Sequence, residues 1–340
     1  MTVKEIAALA GVSRGTVDRV IHNRPGVSPE NLERIQSIIR EYDFHPNTLA
    51  RALSRKQVPK CIGVVVNSEE NPFFDEVLRG LEQCRTDMAA YGISLKLVTL
   101  KGYRAKEQKA ALDRLIAQGV DGLIVTAVNH PEIRETLRRQ KQNGLPVITL
   151  NTDLTDPAAR TDYIGCDYYE SGRLAGGALD LLASGRSLSV AVVQGSDEMY
   201  GHARRLEGFL SVAQELPGVR VTHKLCCEYS DDIAYAQTAR LLQTDPPDLI
   251  YVVTSGTLGV LRAIEDSGKP VTAITNDLLP FTRQYLQKGI VRATIFQQPF
   301  EQGYNAVSRM IDHLYGQTDR DPACYQIRLE IITKFHSEGE

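Results

Sequence analysis

"VKEIAALAGVSRGTVDRVIH", residues 3–22, carries two short runs of apolar residues at helical spacing, Val3, Ile6, Ala7 and Ala10 and then Val17, Val20 and Ile21. Gly11 ends the first predicted helix, and Ser13 is a suitable N-cap for the second. A helix, a tight turn containing glycine and a second helix are typical of a helix-turn-helix, whose second helix enters the major groove of DNA with its N-terminal residues.

The next stretch predicts a third helix. In "SPENLERIQSIIREY" (28–42), Ser28 is the cap, Pro29 takes the first helical position and Glu30 suits the positive helix end. Three short helices of this kind form a small DNA-binding head over residues 1–46. A further helix around Leu49–Leu53 is too short to be stable alone in water.

Length and charge indicate several folding units with different partners. The chain has 340 residues, which is too long for one ordinary core. Its net charge of −3 argues against a general nucleic-acid binder. However, residues 1–57 hold nine Lys and Arg against six Asp and Glu, and the remainder holds 30 against 36. A basic end on an acidic body suggests that this end has a partner of its own.

Several classes of protein are disfavoured by what the sequence lacks. There is no pattern of a secretory leader and no run of about 18 apolar residues, so we expect a cytoplasmic protein with no membrane partner. Six cysteines are scattered without metal-ligand spacing, and we expect reduced thiols, no metal and no cofactor. No Walker-type loop, G-x-S-x-G or H-E-x-x-H motif is present, which argues against an enzyme.

From Cys61 onward, short apolar strands alternate with amphipathic helices. This pattern predicts an α/β body, residues 61–340, with two doubly wound parallel-sheet subdomains in tandem. We place the first subdomain at about 61–163 and 298–324, and the second at about 164–294 and 325–336. Ligands bind outside the carboxyl ends of such strands, so a cleft is expected between the two sheets. The glycines of "GRLAGGALDLL" (172–182) lie inside a predicted helix and indicate close helix packing.

The order and spacing of "VKEIAALAGVSRGTVDRVIHNRPGVS" and "HPNTLARAL" resemble the N-terminus of the LacI/GalR family of bacterial transcriptional repressors. The body resembles the ribose-type periplasmic sugar-binding proteins, most clearly at "NPFF", "VRATIFQQP" and "FEQGYNA". The resemblance implies a homodimeric repressor that binds a pseudo-palindromic operator in double-stranded DNA. It also implies that residues 47–60 are a hinge helix and linker between the head and the body. A small sugar-like effector in the cleft would control its operator affinity.

The resemblance also implies DNA-contacting positions: Ser13, Arg14, Gly15, Thr16, Asp18, Arg19, His22, Ser28, Asn47, Ala50 and Leu53. Arg14 and Gly15 occupy the two positions that vary with operator sequence, and Arg14 can bind guanine O6 and N7. Leu53 stands where the family inserts a leucine into the minor groove; alternatively, it packs on the body. Most relatives carry serine where this chain has Asp18. Asp18 either orients Arg14, accepts from a cytosine amino group, or is an exposed charge that avoids DNA.

Effector-contacting positions carried over from the resemblance are Asn71, Phe73, Phe74, Asn151, Arg204, Asp277 and Gln297. Their amides and carboxylate suit polyol hydroxyls, and an aromatic ring suits the apolar face of a sugar; we expect one phenylalanine at the ligand and the other in the core. Ribose binders carry Asp-Arg where this chain has Asn151-Thr152, so the ligand is expected to differ from ribose. Their cleft arginine corresponds to His202, Arg204 or Arg205, since the register here is open.

Two other functions fit parts of the pattern. A free solute-binding protein would explain the body, but the absence of a leader and the DNA-binding head argue against it. An enzyme with a DNA-binding head, such as a sugar kinase, would explain the two-part architecture, but no catalytic motif supports it.

Overall fold

A computed structural model describes residues 3–21, 27–41, 58–69, 71–195, 200–316 and 327–335. The head consists of three helices, α1 (Val3–Ala10), α2 (Arg14–Ile21) and α3 (Pro29–Glu41). Their buried side chains form one small core, which confirms the predicted three-helix head: Ile6, Ala7, Ala10, Val17, Val20 and Ile35. His22 and the predicted hinge positions Asn47, Ala50 and Leu53 lie outside the described residues.

The first sheet of the body has five parallel strands in the order β2-β1-β3-β4-β5. Strands β3 and β4 consist wholly of buried residues, as expected for a sheet covered by helices on both faces. The elements are β1 (Lys60–Glu69), α4 (Phe73–Asp87), β2 (Ile93–Lys101), α5 (Ala105–Ala117), β3 (Gly122–Val125), α6 (Pro131–Gln142), β4 (Val147–Leu150) and β5 (Asp162–Ile164).

The second sheet has six strands in the order β11-β10-β9-β8-β6-β7. All its pairs are parallel except β10 with β11, an antiparallel edge that the alternating pattern did not predict. Its elements are α7 (Tyr168–Ala183), β6 (Leu188–Gln194), α8 (Tyr200–Ala213), β7 (Val219–Cys226), α9 (Asp231–Thr244), β8 (Leu249–Val252), α10 (Thr257–Ser267), β9 (Thr272–Asn276), α11 (Pro280–Gln287), β10 (Val291–Phe296) and β11 (Glu330–Ile332).

The chain passes between the sheets more than once. It leaves β5 of the first sheet and enters α7, which packs against β9 and β10 of the second. After β10 it returns as α12 (Pro299–Leu314), which packs against α4 beside the first sheet. β11 then lies back in the second sheet. The body therefore has the predicted architecture of two parallel-sheet halves joined by crossovers.

Helices α7 and α8 approach each other closely through glycine. A Cβ added to Gly172 would lie 1.9 Å from the backbone oxygen of Arg205, and one added to Gly208 would lie 2.0 Å from that of Tyr169. The predicted close helix packing is confirmed at Gly172 and at Gly176, where an added Cβ would lie 2.6 Å from Cβ of Val212, but not at Gly177, where it would meet no described atom within 4 Å. This contact fixes which face of α8 points at the second sheet.

Candidate functional site

The N-terminus of α2 is open to solvent and capped by a side chain. The Oγ of Ser13 accepts the Thr16 backbone N–H at 3.1 Å and lies 2.9 Å from the Thr16 hydroxyl. Arg14, Gly15 and Arg19 are exposed. A helix N-terminus carries a partial positive charge and attracts phosphate, so this end of α2 suits a polyanion.

Gly15 is not required by the fold. Among the described residues, a Cβ added there would meet only the Oγ of Ser13, at the ordinary contact distance of 3.7 Å, and the φ of Gly15 is not positive. Ser28, by contrast, has a role within the protein, because its Oγ accepts the Asn31 N–H at 3.4 Å at the start of α3. The side chain of Asp18 lies outside the described part of the structure.

Polar side chains in the body stand at strand ends in an unusual backbone conformation. Asn151 follows β4, Tyr229 lies three residues after β7, and Asp277 follows β9; their φ angles are 61°, 62° and 70°. Non-glycine residues adopt the left-handed region rarely, and such residues cluster at functional sites. All three stand at carboxyl ends of parallel strands, where ligands bind in this class of fold.

A chain of hydrogen bonds connects the two sheets through these residues. The Gln297 Nε2 donates to Oδ1 of Asp277 at 2.7 Å, and the Gln302 Nε2 donates to the Gln297 carbonyl at 2.7 Å. Asn151 Nδ2 in turn donates to Gln302 Oε1 at 3.1 Å. The Tyr168 hydroxyl lies 3.3 Å from Oδ1 of Asn151 and donates to it. The structure therefore brings Asn151, Asp277 and Gln297 into one network.

Arg205, and not Arg204, is the arginine inside this cluster. Arg205 is 2% exposed; its guanidinium lies 4.6 Å from the Tyr168 ring centroid, and Nη1 donates to the Val253 carbonyl at 2.9 Å. Its Nε has no hydrogen-bond partner within the described structure. Arg204, the residue expected at the ligand from the resemblance, instead has its guanidinium paired with Glu207 on α8.

Burial changes the ionisation of the groups around Arg205. Burial raises the pKa of Asp277, although the nearby Arg205 and the bond from Gln297 act in the opposite direction. Burial, reinforced by the charge of Arg205, lowers the pKa of His202 to about 3. His202 is therefore neutral near pH 7, with Nε2 3.1 Å from the Thr254 hydroxyl and Nδ1 3.5 Å from the Tyr229 hydroxyl.

Phe73 and Phe74 both lie in the hydrophobic core of the first sheet. Their rings pack edge to face with centroids 5.3 Å apart, and both are almost fully buried. Asn71 lies two residues before α4, and its Oδ1 accepts the Phe73 N–H at 3.2 Å. The structure thus does not direct one phenylalanine to the cleft and the other to the core, because the first turn of α4 packs both rings against β1.

Two tyrosines that sequence reasoning missed meet across the cleft. Tyr103 lies two residues after β2 of the first sheet, and its ring centroid is 5.6 Å from that of Tyr229 beyond β7 of the second. Both follow strand carboxyl ends, and that position was the signal available in the sequence. A cavity of about 710 Å³ adjoins the polar network at the β5–α7 crossover, because its lining includes Tyr168 together with Asp162, Tyr163 and Arg204. The contact between the two rings therefore links the strand ends of the two sheets.

Comparison with known proteins agrees with this two-part architecture. Residues 62–318 match the periplasmic binding protein domain, and residues 2–47 match the lacI family of bacterial regulatory proteins. Catabolite control protein A of Priestia megaterium is 27% identical over 286 residues, covering 82% of this chain and 80% of that protein. The sucrose operon repressor of Pediococcus pentosaceus is 29% identical over 262 residues, covering 73% of this chain and 72% of that protein.

The fold also matches solved sugar-binding proteins. GanP, a glucose-galactose binding protein from Geobacillus stearothermophilus, superposes with a TM-score of 0.74 at 25% identity, over 82% of this chain and 98% of that one. Among the helices that the structure describes, none combines the length and the apolar character needed to cross a membrane. The chain belongs to the lacI family of bacterial transcriptional regulators, with a helix-turn-helix head and an effector-binding body of the periplasmic-binding-protein type.

Proposed function

We propose that this protein is a cytoplasmic, homodimeric repressor whose operator affinity is set by a small, uncharged polyol in the cleft. The observation that carries the proposal is the network of Asn151, Asp277 and Gln297 at the strand ends of both sheets, in a chain that begins with a helix-turn-helix. Such a network offers hydroxyl groups both donors and acceptors.

The operator contact is assigned to the N-terminal half of α2. Arg14 is exposed at the start of this helix and would bind guanine, while Gly15 lets the backbone approach a base edge. Ser13 and Thr16 hydroxyls would bind phosphates, as would Arg19. The remaining DNA contacts stay predictions from the family pattern. They are Asp18, His22, Ser28, Asn47, Ala50 and the minor-groove leucine Leu53.

Effector contacts are assigned to Asp277, Gln297, Asn151, Arg205 and His202. Asp277 would accept two ligand hydroxyls, and the unpartnered Nε of Arg205 would donate to one. The opposite charges of Arg205 and Asp277 already balance each other, and His202 is neutral, so an uncharged ligand fits this cluster. Arg204, Asn71, Phe73 and Phe74 are not assigned a direct contact.

Control of DNA binding would act through closure of the cleft. We assign residues 61–163 and 298–324 to the first subdomain, and 164–294 and 325–336 to the second, with the head and hinge attached to the first. A ligand that contacts both subdomains stabilises one hinge angle, and it changes DNA affinity only by its differential affinity for the two angles. A hinge change in both subunits would shift the spacing of the two heads.

The homodimer is assigned to the outermost strands of the two sheets, as the described residues form them. β2 and β7 are edge strands, and they carry the exposed apolar side chains of Leu97 (48%) and Val221 (39%). An exposed edge strand with apolar side chains is suited to association with another chain. A dimer also matches the two-fold symmetry of a palindromic operator.

The test combines operator selection with ligand screening. Purified protein is used to select duplexes from random DNA, and a thermal-shift screen covers sugars, polyols, sugar acids and sugar phosphates. We expect a pseudo-palindromic operator and at least one uncharged polyol that raises the melting temperature of the wild type but not of Asp277→Asn. The exposed Asp232→Asn serves as the matched control and keeps the shift. No preference over random duplexes, or a response to anionic ligands alone, would contradict the proposal.

A further inference from the structure

A contact between two tyrosines joins the two sides of the cleft. The Tyr103 and Tyr229 ring centroids lie 5.6 Å apart at an interplanar angle of 52°. Tyr103 belongs to the first sheet's strand ends and Tyr229 to the second's. Neither residue lies on a crossover, so this contact holds the halves together at a point away from the covalent connections.

On the first side, a buried polar network fixes the position of Tyr103. Asn67 Nδ2 donates to the carbonyl of Gly102, the residue just before Tyr103. Gln108 Nε2 donates to Asn67 Oδ1 at 2.9 Å, and the Thr126 hydroxyl donates to the same oxygen at 3.0 Å. All three polar side chains are buried. A buried network with satisfied partners is rigid, so the loop presents Tyr103 in one place.

On the second side, the backbone is constrained to present Tyr229. Glu228 and Tyr229 have φ angles of 49° and 62°, two consecutive left-handed residues that are not glycine. The Glu228 N–H donates to the Gly195 carbonyl at 2.9 Å. A Cβ added to Gly195 would lie 2.2 Å from Cε1 of Tyr229, so the ring occupies space that only glycine leaves free. Strain of this kind persists where the surrounding structure enforces it.

We propose that Tyr103 and Tyr229 form a clamp that holds the cleft closed, and that Tyr103 thereby positions the first subdomain over a ligand held by Asp277. Burial raises the pKa of Tyr103 to about 12, and the negative charge of Asp277 acts in the same direction. The inference rests on the proposed function for the ligand, but the clamp itself acts without one. The proposed clamp gives a function to the buried network of Asn67, Gln108 and Thr126 and to the strained loop at Tyr229.

The clamp predicts how the closed state responds to substitution. An aromatic pair contributes interaction energy beyond its buried area, and its loss corresponds to a shift of about two- to tenfold in the ratio of closed to open molecules. Closure is measured in the full-length, ligand-free protein by energy transfer between dyes on unnatural amino acids at Lys106 and Asp232. Both positions are exposed, one on α5 of the first half and the other on α9 of the second.

We expect Tyr103→Ala and Tyr229→Ala each to lower the transfer efficiency, and the double variant to be no lower than either single one. Tyr103→Phe keeps the ring and is expected to keep most of the closure. Gly195→Ala, which displaces the Tyr229 ring without removing it, is expected to behave like Tyr229→Ala. Tyr235→Ala is the matched control, because this tyrosine is half-buried on α9 of the second half.

Unchanged transfer efficiency in a folded Tyr103→Ala protein, or additive losses in the double variant, overturns the proposal. Circular dichroism and the unfolding midpoint establish that each variant is folded. The measurement uses neither DNA nor effector. If the tyrosine variants open the cleft but the protein selects no operator, the proposed function alone is contradicted. If the protein selects an operator but the tyrosine variants stay closed, this inference alone is contradicted.

Discussion

The side-chain amide of Gln297 donates a 2.7 Å hydrogen bond to Oδ1 of Asp277, and the carbonyl of the same glutamine accepts a 2.7 Å bond from Gln302. Gln297 follows β10 of the second sheet, whereas Gln302 lies on α12, which packs beside the first. The crossover between the halves is thus part of the polar site. A ligand that replaces the Gln297 amide at Asp277 would change the contacts of the hinge itself.

Arg205 and Arg204 are predicted to differ sharply in effector binding. Arg205→Lys loses the planar guanidinium that stacks on Tyr168, and we expect effector affinity to fall about 10- to 100-fold, since a hydrogen bond to a charged group contributes about 1.5–3 kcal/mol. Arg204→Lys is the adjacent control and should bind like the wild type. Isothermal titration calorimetry with the polyol found by thermal shift measures both, and equal losses would place Arg204 in the site after all.

His202 predicts a loss of stability in acid. Its pKa is lowered to about 3 in the folded protein against about 6.5 in a free side chain, so protonation favours the unfolded state. The contribution of the neutral, buried His202 to the free energy of unfolding is fully present above pH 6.5. It decreases as the pH falls toward 3, by up to about 1.4 kcal/mol per pH unit.

Urea unfolding at pH 7, 6, 5 and 4 tests this pH dependence. We expect the free energy of unfolding to decrease less steeply for His202→Gln than for the wild type below pH 6.5. His130→Asn, on the surface at the start of α6, is the control and should follow the wild-type slope. Parallel curves for His202→Gln and wild type would show that burial of this imidazole does not govern the acid response.

Glycine substitutions in α7 should have opposite effects at two positions. Gly172→Ala places a Cβ 1.9 Å from the Arg205 carbonyl oxygen, so the helices must separate, and we expect a loss of about 1–3 kcal/mol or more. Gly177 lies in the same helix with no atom within 4 Å of an added Cβ. Gly177→Ala should therefore gain up to about 1 kcal/mol from helix propensity. Chemical denaturation measures the free energy of unfolding of both variants. Similar free energies for Gly172→Ala and Gly177→Ala would refute the close approach of α7 and α8.

Gly15→Ala should separate stability from DNA recognition. No atom of the described residues obstructs an added Cβ, so we expect the free energy of unfolding to stay equal or rise by up to about 1 kcal/mol. If the α2 backbone lies close to a base edge, the added methyl group lowers operator affinity or changes the selected sequence. Fluorescence anisotropy on the selected operator measures this, with Arg14→Ala as a reference for a lost base contact. Unchanged affinity and sequence preference would remove Gly15 from the interface.

Local sequence was sufficient for the elements and for part of the site. The apolar spacing of Ile6, Ala10, Val17 and Val20 predicted a helix pair because the period of a helix is visible within a few residues. Asn151 and Asp277 were expected from the family resemblance, and the structure places each directly after a strand, where the carboxyl ends of parallel strands share one edge of a sheet. Their left-handed backbone could not be read from residue types that adopt it only occasionally.

Sequence alone determined that this chain has a helix-turn-helix head, two α/β halves and polar residues at the strand ends, because these features follow from periodicity and order along the chain. Only the tertiary structure decided that Arg205 and not Arg204 enters the cluster. Consecutive helical residues point in directions about 100° apart, and the packing of α8 on α7 through Gly172 selects between them. Likewise, the contact of Tyr103 with Tyr229 joins residues far apart in sequence, and it exists only because two separate sheets face each other.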